Sequence, residues 1–165
     1  MSGPTLVPHL DAAYNLARWL MRNAADAEDV VQDALVSALA GASGFRGGDE
    51  RAWLLSIVRN GCYSAHRRAR VRQATDFDET EHGEDTVTPS PEQRAIDHDT
   101  SRRVRIAVER LAVDFREVIV LREFEGLSYK EIADVIGAPI GTVMSRLSRA
   151  RVELQKLLAE ERGRA

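Results

Sequence analysis

Apolar side chains recur along this chain about every three to four residues, and that spacing predicts helices rather than strands. The first predicted helix runs from about Leu10 to Met21. The second begins at Asp26, which we expect to be its N-cap, and stops at Gly41. The third runs from about Arg51 to Arg70, after a glycine-rich loop. The residues expected to face inward from the second and third helices are Val30, Val31, Ala34, Leu35, Ala38, Leu39, Trp53, Leu54, Ile57 and Val58.

From about Gln73 to Pro91 the pattern is interrupted by acids and two prolines, and few apolar residues remain. Such a segment cannot bury enough surface to offset its ordering entropy, so we expect a flexible linker here. Helical spacing resumes near Glu92 and continues to Leu111. Asp114 is expected to cap the next helix, which runs from Phe115 to about Glu125.

The segment from Ser128 to Glu131 is a capping box, in which the two side chains satisfy backbone N–H groups reciprocally. The short helix that it opens ends at Gly137, and Pro139 falls where a first-turn proline costs no hydrogen bond. A longer basic helix follows, so the succession predicts a helix-turn-helix. An ordinary helical hairpin is the alternative. The outward face of the second helix carries Thr142, Ser145, Arg146 and Arg149.

Together these elements predict an all-α protein of two small helical domains joined by an acidic flexible linker. We place the domains at residues 1–73 and 92–165, the second containing the helix-turn-helix, and the linker at residues 74–91. Each half is near the lower size limit for a self-sufficient core, so we expect partner contacts to matter to both.

The distribution of charge is more informative than the net charge of −3. Between Arg51 and Arg72 there are six arginines and no acid, whereas between Asp76 and Glu92 there are seven acids and no Lys or Arg. From Arg146 onward the balance is basic again. Two basic blocks separated by an acidic one are compatible with nucleic-acid binding, although arginine runs can also be solvated helix faces.

The residue types needed for catalysis or metal binding do not cluster. The four histidines are far apart, and the single Cys62 can form neither an internal disulfide nor a zinc site. We therefore expect no catalytic site, no metal and no cofactor. No stretch approaches the roughly 18 apolar residues that span a bilayer. We expect no membrane insertion and a reducing, cytoplasmic setting.

Five segments together resemble the extracytoplasmic-function sigma factors, the smallest sigma factors of bacterial RNA polymerase. They are DAEDVVQD at residues 26–33, FRG at 45–47, WLLSIVRN at 53–60, GLSYKEIA at 126–133 and GTVMSRLSRAR at 141–151. The resemblance covers about Leu10 to Arg72 and about Glu92 to Leu158. Any one of these motifs alone is weak, but their order and spacing are specific.

The resemblance implies that the second helix binds core RNA polymerase. Asp29, Gln32 and Asp33 lie at i, i+3 and i+4 and so share one helix face. In the family this face grips a basic coiled coil on the largest catalytic subunit. The alternative is a solvated acidic face on which Asp29 has a role in helix capping. Capping would explain Asp29, but it would not explain Gln32 and Asp33 beside it.

The resemblance also implies that the glycine-rich loop and the third helix open promoter DNA at the minus-ten element. An unstacked base must be captured in a pocket, where aromatic, arginine and polar side chains can hold it. The candidate residues are Phe45, Arg46, Arg59, Asn60, Tyr63, Ser64 and Arg67. The family commonly has Asp or Asn where Ser64 stands, which leaves the detailed minus-ten preference open.

The helix-turn-helix is implied to read the minus-thirty-five element of duplex promoter DNA. Its candidate contacts to bases and phosphates are Thr142, Ser145, Arg146, Arg149 and Arg151. The family further implies an anti-sigma factor as an inhibitory partner. A sigma-mimicking adaptor that binds no promoter is an alternative, and a conventional helix-turn-helix regulator would leave the first domain unexplained.

Overall fold

The computed structural model describes residues 3–75 and 98–163, and every regular element within these ranges is helical. The prediction of an all-α fold is therefore confirmed. The chain divides into two units, the first built mainly from residues 1–85 and the second mainly from residues 86–165. The third helix extends to Thr75, so residues 74 and 75, assigned to the linker, are helical. The rest of the predicted linker lies outside the described residues.

The first unit is a bundle of three α-helices, α1 (Leu10–Leu20), α2 (Ala24–Ala40) and α3 (Glu50–Thr75). Short 3₁₀ turns precede α1 at Val7–His9 and follow α2 at Ala42–Gly44. Apolar side chains from all three α-helices fill the core. They include Ala13, Leu16, Leu20, Ala27, Ala38, Leu54, Leu55 and Val58, none of which is exposed to solvent.

Polar contacts fix the ends of these helices. The N-cap of α2 is Asn23 and not Asp26, because Asn23 Oδ1 accepts a hydrogen bond from the Asp26 amide at 2.8 Å. Asn23 Nδ2 in turn donates to Asp26 Oδ2 at 2.9 Å. Asp49 Oδ1 accepts from the Ala52 amide at the start of α3. At the end of α1, His66 of α3 lies 2.7 Å from the Leu20 carbonyl oxygen, which ties the two helices together.

The second unit contains α4 (His98–Arg110), α5 (Val113–Ile119), α6 (Tyr129–Ile136) and α7 (Ile140–Gly163). The helix of α5 continues as a π-helical turn over Val120–Phe124. The unit's fully buried apolar side chains include Ala107, Val108, Val118, Val120, Leu121, Leu127, Ile132, Val143 and Ala150. Arg110 joins α4 to α7 through ion pairs with Glu160 and Glu161 at 2.9 and 3.3 Å.

The predicted capping box of α6 is confirmed, since the Glu131 amide donates to Ser128 Oγ and the Ser128 amide to Glu131 Oε1. Gly137, with a φ of +68°, follows α6. The caps of the neighbouring helices differ from prediction. Ala112, not Asp114, is the N-cap of α5. Pro139 lies just before α7, and its carbonyl accepts from the amides of Thr142 and Val143.

The expected core positions of the first unit are mostly buried, but Leu39 is 68% exposed. Leu35, Trp53 and Ile57 are only partly buried. Leu39 follows the apolar spacing of α2, yet it lies on the exposed side of the last turn, whereas Ala38 in the same turn is fully buried. No helix within the described residues is long and apolar enough to cross a membrane.

Candidate functional site

The outer side of α2 carries the three residues proposed to bind the polymerase. Asp29, Gln32 and Asp33 are all exposed. The same side continues one turn further with Val36, and Leu39 follows beside it, each 68% exposed. We call these five residues the acidic–apolar face. Val36 was not singled out from the sequence, although its position four residues after Gln32 places it on the same side.

A groove of about 330 Å³ runs between α2 and α3. Asp33 lines it from α2, and Asn60 and Ser64 line it from α3. The structure therefore brings a residue assigned to polymerase binding next to two assigned to minus-ten DNA. The remaining lining residues are Val30, Ala34, Ser37, Ile57, Gly61 and Arg68. The sequence analysis did not select Ser37 or Arg68, whose positions become informative only once the two helices are packed.

The loop before α3 presents an aromatic pair. The ring of Phe45 lies 5.1 Å from that of Trp53, with an interplanar angle of 53°. Both residues are half-buried, and Arg46 beside them is exposed. Gly47 and Gly48 have φ values of +87° and +98°, a backbone region that side chains other than glycine rarely adopt. The loop therefore depends on these two glycines to present Phe45 and Arg46.

The polar residues of α3 form two adjoining rows. In one row the Arg59 guanidinium lies 4.1 Å from the centre of the Tyr63 ring, a cation–π contact. In the other, Arg67 donates from Nη2 to Ser64 Oγ at 3.1 Å, and Asn60 lies one turn earlier. Asn60 and Arg67 are exposed, whereas Arg59, Tyr63 and Ser64 are half-buried. All five lie on the half of α3 that the sequence assigned to DNA.

The candidate residues of α7 fall into different environments. Ser145 and Arg149 are exposed, Thr142 is half-buried, and Ser145 Oγ donates to the Thr142 carbonyl oxygen at 3.1 Å. No described carboxylate forms an ion pair with Arg149 within residues 98–163. This side of α7 is therefore open to solvent, as a surface that enters a DNA groove must be.

Two other arginines of α7 form ion pairs with carboxylates. One of these carboxylates belongs to α5, and the other belongs to the π-helical turn that follows it. Arg146 Nη1 lies 3.9 Å from Oε1 of the fully buried Glu117. Arg151 Nη2 donates to Glu123 Oε1 at 3.0 Å, and the hydrogen bond to Glu123 raises the pKa of Arg151 above its ordinary value. The five predicted minus-thirty-five residues thus do not present one uniform surface.

The turn that leads into α6 is held by a third arginine. Arg122 donates from Nη1 to the Leu127 carbonyl oxygen at 2.8 Å, and its guanidinium lies 4.7 Å from the centre of the Tyr129 ring. These contacts connect the π-helical turn to the start of the helix-turn-helix. No group of metal-ligating side chains within residues 3–75 and 98–163 is arranged to hold a metal ion.

Comparison with protein-family models assigns both units. Residues 6–72 match the model described as Sigma-70 region 2, and residues 101–154 match that of Sigma-70, region 4.

Two sequence relatives cover most of this chain. The RNA polymerase sigma factor YlaC of Bacillus subtilis is 35% identical over 137 residues, which are 82% of this chain and 79% of the relative. The ECF RNA polymerase sigma factor SigE of Mycolicibacterium smegmatis is 35% identical over 156 residues, or 92% of this chain. The chain spans only 59% of the length of that SigE.

Solved structures show the same similarity. The sigma factor RpoE of Bartonella quintana, in complex with the anti-sigma factor NepR, matches with a TM-score of 0.78 and 36% identity. That match covers 93% of this chain and 94% of the other. CnrH, in complex with the cytosolic domain of CnrY, matches with a TM-score of 0.64 and 29% identity, covering 94% of this chain and 85% of the other.

Proposed function

This chain belongs to the extracytoplasmic-function group of the sigma-70 family, and from that membership we propose that it is an alternative sigma factor. It binds core RNA polymerase and directs transcription initiation at specific promoters, without catalysing a reaction itself. The observation that carries this proposal is the presence of both sigma-70 regions, in order, on one chain. We assign residues 1–73 to polymerase binding and the minus-ten element, residues 74–91 to the linker, and residues 92–165 to the minus-thirty-five element.

The acidic–apolar face of α2 is the proposed contact with the basic coiled coil of the largest catalytic subunit. Its carboxylates offer charge complementarity, which speeds encounter and selects the partner. The exposed Val36 and Leu39 add apolar area that a partner helix would remove from water, at about 25 cal/mol for each Å² buried. A basic amphipathic partner would pair with the carboxylates of this face and would also bury its apolar side chains, which solvent leaves exposed.

Reversal of one charge on this face tests the assignment. Asp33→Arg should weaken the affinity for core polymerase by at least tenfold, measured by fluorescence anisotropy of the labelled chain, because it places like charges together. Asp11→Arg is the matched control, since Asp11 is an exposed acid of the same unit that belongs to α1 and lies outside the face. Equal losses for the two variants would indicate a general charge effect and would refute the face as the binding surface.

The loop, the α3 rows and the groove form the proposed minus-ten site. Promoter opening requires that a base leave the stack, which costs a few kcal/mol, and that the protein hold it. Phe45 and Arg46 offer stacking and charge at the loop, while Arg59, Asn60, Tyr63, Ser64 and Arg67 line the path of the strand. Joint replacement of Phe45 and Asn60 by Ala should leave closed-complex binding intact and reduce permanganate reactivity near the start site. Unchanged reactivity would remove these residues from the site.

In the second unit, Thr142, Ser145 and Arg149 form the proposed surface for duplex DNA, with Arg151 beside them. Residues near the N-terminus of a recognition helix are those that reach base edges in the major groove. The exposure of Ser145 and Arg149 supports this assignment. Arg146 is treated separately below.

An anti-sigma factor is the proposed regulator. One of the similar structures is a sigma factor in complex with the anti-sigma factor NepR, and another is CnrH in complex with the cytosolic domain of CnrY. We place the protein in the cytoplasm, where core polymerase and promoter DNA are found. Co-purification of the tagged chain with core polymerase and with a second, smaller protein that blocks transcription would support both partners. Purification with neither, from cells in which the chain is expressed, would contradict the proposal.

A further inference from the structure

Glu117 is a charged residue in an unusual place. Its side chain is 0% exposed, in α5, on the side that faces α7. Arg146 reaches it from α7, with the guanidinium nitrogen 3.9 Å from the carboxylate oxygen and 27% of the side chain exposed. A carboxylate taken out of water needs an opposite charge or several hydrogen bonds to remain ionised. Arg146 supplies that charge from the solvent side.

Whether Arg146 can turn toward DNA depends on the cost of breaking its ion pair with Glu117 and on the gain from a contact with a base. Removal of one partner from a buried ion pair shifts a folding equilibrium by about 100-fold or more. A good base contact by arginine is worth about tenfold to 100-fold in discrimination. Movement of Arg146 toward DNA would leave Glu117 buried without this counter-charge and would bring phosphates close to it. The exchange is therefore unfavourable.

The pair formed by Arg151 and Glu123 is different. The two side chains are 45% and 50% exposed, and ion pairs in water of this kind contribute little. Arg151 can exchange Glu123 for a phosphate at low cost. Arg149 has no ion pair to give up among the described residues.

We propose that Arg146 is a positioning residue which Glu117 holds against α5, and that it does not read promoter DNA. Its role is to fix the seating of α7, so that Arg149 and Ser145 meet the base edges. Arg149 is then the specificity-determining arginine of the helix. This inference rests on the proposed function, because it assigns different roles to residues of the same proposed minus-thirty-five surface.

The first test releases Arg146. In E117Q the amide keeps the size of the side chain and removes the charge that holds Arg146. Arg146 then becomes free to contact phosphate, so the plot of log affinity for promoter DNA against log salt should become steeper by about 0.9. The double variant E117Q/R146M should return to the slope of the unaltered holoenzyme. A slope that is the same in E117Q and in the unaltered protein would show that Glu117 does not restrain Arg146.

The second test separates seating from reading. R146M in the full chain should lower the unfolding midpoint of the second unit by about 10 °C or more, because it replaces the charge beside the buried Glu117 with an apolar side chain. E117Q/R146M should recover most of that loss. The matched variant R149M should leave the midpoint unchanged and reduce the preference at one promoter base pair by about tenfold. Loss of base preference in E117Q/R146M, with its stability restored, would overturn the proposal and return Arg146 to the DNA surface.

The proposed function and the positioning role of Arg146 are refuted by different results. If the unaltered holoenzyme binds no promoter in a sequence-dependent way, the proposed function is wrong. The coupling of midpoints between Glu117 and Arg146 is measured on the chain alone. Independent, additive effects of the two substitutions on stability would refute the positioning role whatever the promoter result.

Discussion

Gly61 determines how closely α2 and α3 approach. A Cβ atom at this position would lie 3.1 Å from Cγ1 of Val30, which is closer than ordinary van der Waals contact. Val30 is only 6% exposed and belongs to a helix, where β-branched side chains have one preferred rotamer. A change of rotamer at Val30 would be costly, so the absence of a Cβ atom at Gly61 allows the two helices to pack at their present distance.

This contact predicts that the effect of Gly61→Ala on stability changes sign when Val30 is replaced by a smaller residue. Gly61→Ala should destabilise the first unit by about 1 kcal/mol, because overpacking outweighs the gain in helix propensity. In a Val30→Ala background the same substitution should become stabilising by about 0.5–1 kcal/mol, since the clash is removed and the propensity gain remains. Urea unfolding followed by circular dichroism measures both effects. Stabilisation by Gly61→Ala in the unaltered chain would show that α2 and α3 accommodate the added Cβ atom with no loss of packing energy.

At the scale of residues, sequence reasoning identified which side chains are polar and periodic but not which neighbours they meet. The exposed positions of Asp29, Gln32 and Asp33 follow from helical spacing alone. The separation of Arg146 from Arg149 does not, because both lie on polar positions of α7. Only the packing of α5 against α7 places a buried carboxylate beside one arginine and none beside the other.

The start of α6 is controlled by the reciprocal hydrogen bonds of Ser128 and Glu131. Each side chain satisfies a backbone N–H group that has no partner within the helix. Gly137, in the left-handed region, marks the other end of this short helix. A helix of eight residues has few internal hydrogen bonds, so its terminal contacts are a large part of its stability.

Ser128→Ala should therefore destabilise the second unit by about 1 kcal/mol, observed as a fall of several degrees in its thermal midpoint. Ser128→Asp is the control, since aspartate accepts the same hydrogen bond from the Glu131 amide and should keep most of the stability. Equal losses in the two variants would show that the hydroxyl acts in some way other than capping.

At the scale of elements, local sequence signals predicted most of the boundaries. Gly41, Gly126 and the capping box end or begin helices as expected. Two features escaped prediction for physical reasons. Asn23 and Asp26 are both good caps, and the sequence alone does not say which backbone conformation wins. The π-helical turn at Val120–Phe124 carries no signature of its own, because it arises when one residue more is accommodated within a helical run.

The whole molecule consists of two units, each with its own set of buried apolar side chains. Units with separate cores are expected to unfold as separate cooperative transitions. Gly61→Ala should therefore lower only the transition of the first unit, and Ser128→Ala only that of the second. Scanning calorimetry of both variants, with hydrogen exchange to assign each transition, measures this. A single transition shifted by either substitution would show that the units stabilise one another.

Cys62 gives access to one of these units by chemistry alone. It is the only cysteine of the chain, and its side chain is fully buried in the first unit. A thiol reagent can reach it only when α3 separates from its neighbours, so the labelling rate at high reagent concentration reports the opening rate of that unit. The labelling rate of Cys62 therefore measures how often the first unit opens. If core polymerase binds this unit, as we propose, labelling should be slower in its presence, and the ratio of the two rates would measure how strongly binding suppresses opening of the unit.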